Sequence, residues 1–319
     1  MAKVVVTGKI PSGALTRLRA EHDVLAWEES TPISREELLK RVSGADAIVS
    51  LLTEKIDDEL LAAAGTQLKS VSNVAVGYNN IDVPACKARS VLVTNTPGVL
   101  TEATADIAMS LILMTTRRLA EGERVIRAQQ PWQWGMFYML GSSIQGRQLG
   151  IVGMGQIGAA VARRARAFGM TIAYTKRTPL DAATHKELDA KHVELDELLA
   201  TSDVVSLHCP YSPETHHFMN ATQLAKMKSS AYLINTARGP VVDEAALADA
   251  LQRNVIAGAG LDVFEKEPVV HEGLLGLDNA VLIPHLGSAT VETRAAMADL
   301  AATNALAILG GKTAPNLVG

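Results

Sequence analysis

Short β-branched runs alternate with helical stretches along most of this chain. Lys3–Thr7, Val24–Trp27, Ala47–Leu51, Ser70–Val74 and Val91–Thr94 are largely apolar runs of strand length, and so read as buried strands. Helical segments lie between them. Ser34–Val42, for example, opens with Ser34 and Glu37 at the spacing of a capping box. A longer helical stretch from Thr101 to about Ala128 breaks the rhythm, and then a second series begins. Its strands are Leu149–Val152, Thr171–Thr175, Val204–His208, Tyr232–Asn235, Ala257–Leu261 and Val281–Pro284, and a last helix covers Thr290–Leu309. Regular βα alternation predicts parallel, doubly wound sheets. Two series separated by a long helix predict an α/β chain of two such domains, with the closing helix packed back onto the first.

Composition narrows the class. A chain of 319 residues suits two domains, and 48% hydrophobic, 20% charged and 4% aromatic residues describe a soluble protein rich in small aliphatics. A net charge of −4 and a pI near 6.1 argue against nucleic acid as a partner. Two cysteines, Cys86 and Cys209, are too few for a disulfide scaffold and fit the reducing cytoplasm. Neither has metal-ligand spacing, and no metal is expected. Met1–Gly8 lacks the features of a signal peptide. The apolar stretch at Ile107–Met114 falls far short of the ~20 residues that cross a membrane.

One loop carries a specific chemical signal. In Gly150-Ile151-Val152-Gly153-Met154-Gly155-Gln156-Ile157-Gly158 a strand ends and an Ala-rich helix begins. Gly153 permits a tight turn, Gly155 lets a pyrophosphate approach the backbone, and Gly158 lets helix and strand pack closely. The helix N-terminus then offers free N–H groups to the anion. The next strand would normally end in an acid that holds the adenosine ribose. Here it runs into Lys176, Arg177 and Thr178, which suit a 2′-phosphate. NADP(H) is therefore the expected preference, with NAD(H) also open.

Three later strand ends carry candidate catalytic groups. Arg238 follows Tyr232–Asn235, Glu267 lies in the acidic stretch after Ala257–Leu261, and His285 closes the last strand. Reduction of a 2-oxo acid needs a cation for carboxylate and carbonyl, a proton donor, and a carboxylate that keeps the donor charged. Arg238, His285 and Glu267 can fill these roles in that order. Singly, each reads better as an ordinary salt-bridge, loop or turn residue; together, beside a dinucleotide loop, they read as catalytic.

The segments Asn73–Asp82, Gly153–Gly158, Lys226–Ser230, Asn235–Val242, Gly260–Pro268 and Pro284–Ala289 together resemble the D-isomer-specific 2-hydroxyacid dehydrogenases. The likeness covers essentially the whole chain and looks strongest to the glyoxylate/hydroxypyruvate and 2-ketogluconate reductase branch. It implies a Rossmann cofactor domain, 100–287, inserted into a flavodoxin-like substrate domain made of 1–99 and 288–319. It implies that backbone N–H groups of Val76 and Gly77, with Leu52 and Arg238, hold the substrate. Around the cofactor it places Thr104, Gln156, Ile157, Cys209, Pro210 and Thr215, and also Thr236, Ala237, Asp262 and Gly287, with Asp262 near the nicotinamide amide. It further implies a homodimer formed through the cofactor domains, with the active site in the interdomain cleft. Trp132–Met139 lies in a loop that varies within that family, and core of the dimer interface is its favoured reading over a wall of the pocket.

Other residues stay unremarkable in this reading. Cys209 has no evident base, and His185, His192, His216, His217 and His271 read as surface residues. The pairs Arg117-Arg118 and Arg163-Arg164 read as solvated helix faces. Two alternative functions remain: the same scaffold acting on formate, phosphite or a larger hydroxy acid, and a dinucleotide-sensing corepressor. Glu267 favours carbonyl reduction over formate oxidation, where the resemblance would imply glutamine. A corepressor would be expected to add tails beyond the last helix. Glyoxylate, hydroxypyruvate and 2-ketogluconate all remain open as the substrate.

Overall fold

The computed structural model describes residues 1–318, and the chain folds as two compact units. One comprises Met1–Leu100 together with the segment that begins at Ala289; the other is Thr101–Ser288. In the first, strands β1 (Lys3–Val6), β2 (Asp23–Ala26), β3 (Ala47–Ser50), β4 (Ser70–Asn73) and β5 (Leu92–Thr94) form one parallel sheet in the order β2-β1-β3-β4-β5. That is the flavodoxin-type winding. Three of its connecting helices begin where short polar side chains cap them: Ser34, Asp57 and Asp82 each accept a backbone N–H of the first turn. Only half of the expected capping box forms at Ser34, because the Glu37 carboxylate turns to Arg41 at 2.6 Å. The C-terminal helix Val291–Leu309, capped by Thr290, packs on β3, β4 and the helix Ser12–Glu21 of this same unit.

The second unit holds a parallel sheet of seven strands. These are β6 (Gln148–Val152), β7 (Thr171–Thr175), β8 (Ala190–His192), β9 (Val204–Leu207), β10 (Tyr232–Asn235), β11 (Gly258–Leu261) and β12 (Ala280–Leu282), in the order β12-β11-β10-β9-β6-β7-β8. Strand order reverses between β6 and β9, the Rossmann switch point where a doubly wound sheet leaves its ligand crevice. Successive side chains feed two cores. Leu149, Ile151, Ile172, Tyr174 and Ile234 pack with the helices Thr101–Thr116 and Gln156–Ala167, whereas Val152, Ala173, Val205 and Leu233 face the opposite core.

Two elements depart from the expectation. β8 was not anticipated, because Ala190–His192 is short and carries no β-branched signal. The long helix Thr101–Ala128 is broken into Thr101–Thr116 and Leu119–Arg127, with Arg118 in left-handed conformation at φ 54°. The cause is a competing partner: the Thr116 carbonyl accepts the Ser142 N–H at 2.8 Å instead of continuing the helix. Among the described residues no helix is long and apolar enough to cross a membrane, and no cluster of side chains suits a metal ion.

Candidate active site

The glycine loop is built by contact as much as by conformation. Gly153 sits at φ 91°, and a Cβ there would lie 2.6 Å from the Cys209 backbone nitrogen. A Cβ on Gly158 would meet the Gly153 carbonyl oxygen at 2.7 Å, so helix Gln156–Ala167 can approach β6 only because that position is glycine. Gly155 differs: its Cβ would meet nothing within 4 Å, and this N-cap provides no side-chain cap for the helix. An open cradle beneath uncapped N–H groups fits a pyrophosphate. Two further observations fit a dinucleotide. The buried Thr236 hydroxyl has no hydrogen-bond partner among the described residues. The end of β7 is drawn against the turn by Gly153 N–H donating to Thr175 O at 3.0 Å. Lys176, Arg177 and Thr178 follow directly, with Arg177 and Thr178 exposed. Arg177 also acts on Glu214, whose carboxyl is held below its ordinary range first by the Ser212 hydroxyl.

Burial pushes the Cys209 thiol up to about 11, so it stays neutral and suits a packing role beside Gly153. His208, beside Ser206 Oγ at 2.8 Å, is pushed down to about 4 by burial and is neutral near pH 7. The Thr215 hydroxyl donates to Pro210 O at 2.9 Å and accepts the Ser212 N–H at 2.7 Å, closing the loop after β9.

Three strand ends supply the charged groups. After β10, Asn235 organises the turn: its carboxamide accepts the Ala237 N–H at 3.0 Å and donates to Arg238 O at 2.9 Å. The half-buried Arg238 guanidinium donates to Ala237 O at 2.7 Å; burial lowers its pKa, against the raising effect of Glu267. Gly239 lets this turn touch the Glu267 loop, since a Cβ there would collide with the Phe264 carbonyl. After β11, Glu267 accepts the Phe264 N–H at 3.0 Å and meets His285 Nδ1 at 2.7 Å. Burial pushes the Glu267 carboxyl up, but the hydrogen bond and charge of His285, with help from Phe264 and Arg238, hold it below the ordinary value. It is a carboxylate throughout the neutral range.

His285 stands at φ 51°, a conformation that a non-glycine residue keeps only when its surroundings impose it. Asp262 imposes it. Its carbonyl accepts the His285 N–H at 2.8 Å, and its carboxylate accepts Leu286 N–H at 2.5 Å and Gly287 N–H at 2.8 Å. Thr104 adds a bond to Gly287 O at 3.2 Å. Burial raises the Asp262 carboxyl in spite of these donors. The turn-building roles of Asn235 and Asp262 escaped the sequence reading; a polar residue at or just past the end of a buried strand was the available signal.

Leu52, Val76 and Gly77 belong to the other unit, at the carboxyl edge of the five-stranded sheet. Several residues expected on the surface are corrected. His192 packs on Tyr174 with ring centroids 5.0 Å apart, His217 lies 3.3 Å from Glu265, and His271 caps a helix by accepting the Gly273 N–H. Arg164 is no solvated face but pairs with Glu102 and Asp106 at 2.7 Å each, joining two helices. The Trp132–Met139 loop is open to solvent, with Trp134 75% and Phe137 88% exposed.

Residues 109–287 match the model of the D-isomer specific 2-hydroxyacid dehydrogenase NAD binding domain. A glyoxylate reductase from Thermococcus onnurineus is 49% identical over 99% of this chain and 95% of its own length. A crystal structure of a protein from Thermus thermophilus superposes with a TM-score of 0.92 at 44% identity, covering 99% of this chain and all of the other. The NADPH-dependent glyoxylate/hydroxypyruvate reductase of Sinorhizobium meliloti, in complex with NADP and malonate, gives 0.87 at 38% identity, covering 100% and 97%.

Proposed function

Because this chain belongs to the D-isomer specific 2-hydroxyacid dehydrogenases, a family of oxidoreductases, we propose that it reduces small 2-oxo acids, glyoxylate and hydroxypyruvate foremost, to D-2-hydroxy acids. The observation that carries this reading is the 2.7 Å couple of Glu267 and His285, in the unit that also holds the glycine loop. A nicotinamide dinucleotide held by the glycine loop would supply the hydride for this reduction. His285, with Nδ1 engaged by Glu267, gives the proton on Nε2 to the carbonyl oxygen as charge develops there. Arg238 clamps carboxylate and carbonyl, and its partial burial strengthens that attraction. The N–H groups of Val76 and Gly77, beside Leu52, receive the substrate carboxylate. Thr104, Gly153, Gly155, Gln156, Ile157 and Gly158 hold the dinucleotide, as do Cys209, Pro210, Thr215, Thr236, Ala237, Asp262 and Gly287. A 2-ketogluconate-sized acid remains a further candidate substrate.

Turnover of glyoxylate with NADPH or NADH, followed at 340 nm, tests the reaction. Hydroxypyruvate tests the stereochemistry: D-glycerate is expected, and L-glycerate alone would overturn the assignment. Lys176, Arg177 and Thr178, with no acid at the end of β7, support NADPH as the preferred cofactor. The exposed apolar run through Trp132, Trp134, Met136 and Phe137, together with the exposed Leu119 and Ile126, supports a homodimer formed through the cofactor unit. Sedimentation of wild type against Phe137→Asp tests it, with a monomeric wild type the result that sinks the idea. Two free cysteines support the cytoplasm as its compartment.

A further inference from the structure

The turn that follows β4 is held from behind in an unusual way. In the parallel register Ser72 stands beside Thr94, so Asn73, which ends β4, and Asn95, which follows β5, are neighbours at the carboxyl edge of the sheet. Both carboxamides donate into the same turn, Asn95 Nδ2 to Val76 O at 2.8 Å and Asn73 Nδ2 to Gly77 O at 3.0 Å. The Thr96 N–H takes the preceding carbonyl, Ala75 O, at 2.9 Å. Three successive carbonyls are thereby tied to one side. These peptides are trans, the cis bond of the described residues being Glu267–Pro268. A planar trans peptide points its N–H opposite to its C=O. The N–H groups of Val76, Gly77 and Tyr78 therefore turn outward as a row, and none has a partner among the described residues.

The amides that do this are themselves fixed. Asn73 Oδ1 accepts the Ser50 hydroxyl at 3.0 Å, and Asn80 joins Asn73 to the Leu51 and Glu54 carbonyls. The Asn95 backbone donates to Asn316 O at 3.2 Å and accepts from Asn304 Nδ2 at 3.1 Å, so the C-terminal segment sets its position.

We propose that Asn95, with Asn73, is the positioning residue of the substrate-carboxylate site: it aims a row of three backbone donors, Val76, Gly77 and Tyr78, at one carboxylate. The proposal rests on the reading of this chain as a 2-oxo acid reductase. Donors already aimed need no reorganisation when the anion arrives, which is why their orientation should govern affinity. The test compares wild type with Asn95→Ala and with Asn95→Leu, which fills the space without donating and keeps the test alive should the alanine variant not fold. KM for glyoxylate and Ki for oxalate should rise together by about tenfold, with kcat within threefold and cofactor Kd unchanged. A mere brace for the turn would lower Tm without moving the oxalate Ki. KM and Ki both within twofold of wild type, in folded variants, would overturn the positioning role. A wild type that neither turns over glyoxylate nor binds oxalate would instead overturn the reading beneath it, and the proposal with it.

Discussion

The carboxyl edges of the two sheets are built from different chemistry. The seven-stranded edge presents Arg238, Glu267, His285 and Asp262, four ionisable groups within three strand-end segments. The five-stranded edge works with neutral amides and hydroxyls: Ser50, Asn73, Asn80 and Asn95. Its one buried carboxylate, Glu54, is consumed by the Thr7 and Thr53 hydroxyls and by the Leu51 N–H at 2.9 Å. Side chains that exchange protons must be coupled to one another, and their environment must tune them. A site that only holds an anion can delegate the work to backbone N–H groups, which carry no pH dependence. In the proposed reading the contrast separates bond-making from binding.

Variants should divide along that line. The largest effect is expected for Arg238→Gln, which removes charge-assisted bonds from a half-buried clamp. About 3 kcal/mol, roughly a hundredfold in kcat/KM, should be lost, and a variant within threefold of wild type would refute the role. Next comes Arg177→Ala, measured as kcat/KM for both cofactors. NADPH should lose roughly tenfold to a hundredfold and NADH little, since one phosphate contact is worth ~1.5–3 kcal/mol before solvent screening. Equal losses would mean the turn after β7 serves something other than a 2′-phosphate.

A smaller and more pointed effect belongs to Glu267→Gln. Glu267 is ionised across the neutral range, and an anion beside an imidazole favours the protonated ring. With that anion removed, the upper limb of the pH–rate profile for reduction should move towards acid. An unmoved limb would mean that another group supplies the proton. The smallest effect is expected at the amide edge. Asn80→Ala frees the Leu51 and Glu54 carbonyls and should raise KM severalfold while leaving both limbs of the profile in place. A shifted limb would erase the distinction between the edges.

Much of this was legible in advance. The βα alternation yielded the two doubly wound sheets, and β7 falls at Thr171–Thr175 as expected, because buried parallel strands leave continuous apolar runs. The glycine spacing and the residue types at later strand ends named the candidate site. What pattern could not reach were features set by a distant partner. β8 forms because β7 offers an edge, and Ser142 ends a helix whose own residues would continue it. Arg164 looks like a surface residue until Glu102 and Asp106 arrive from another helix.

The local order of apolar, small and charged residues was enough to determine most of the elements, the glycine loop and the candidate reacting groups, since those follow from side-chain chemistry within a few residues. Only tertiary structure decided their geometry. Glu267 and His285 are 18 positions apart yet share a hydrogen bond, and His285 holds a left-handed conformation that the carboxylate and carbonyl of Asp262, 23 residues earlier, sustain. At the other edge, Asn95 donates a hydrogen bond to a turn 19 residues before it. Such bonds join strands that are neighbours in the sheet and strangers in the sequence, and no short-range pattern records them.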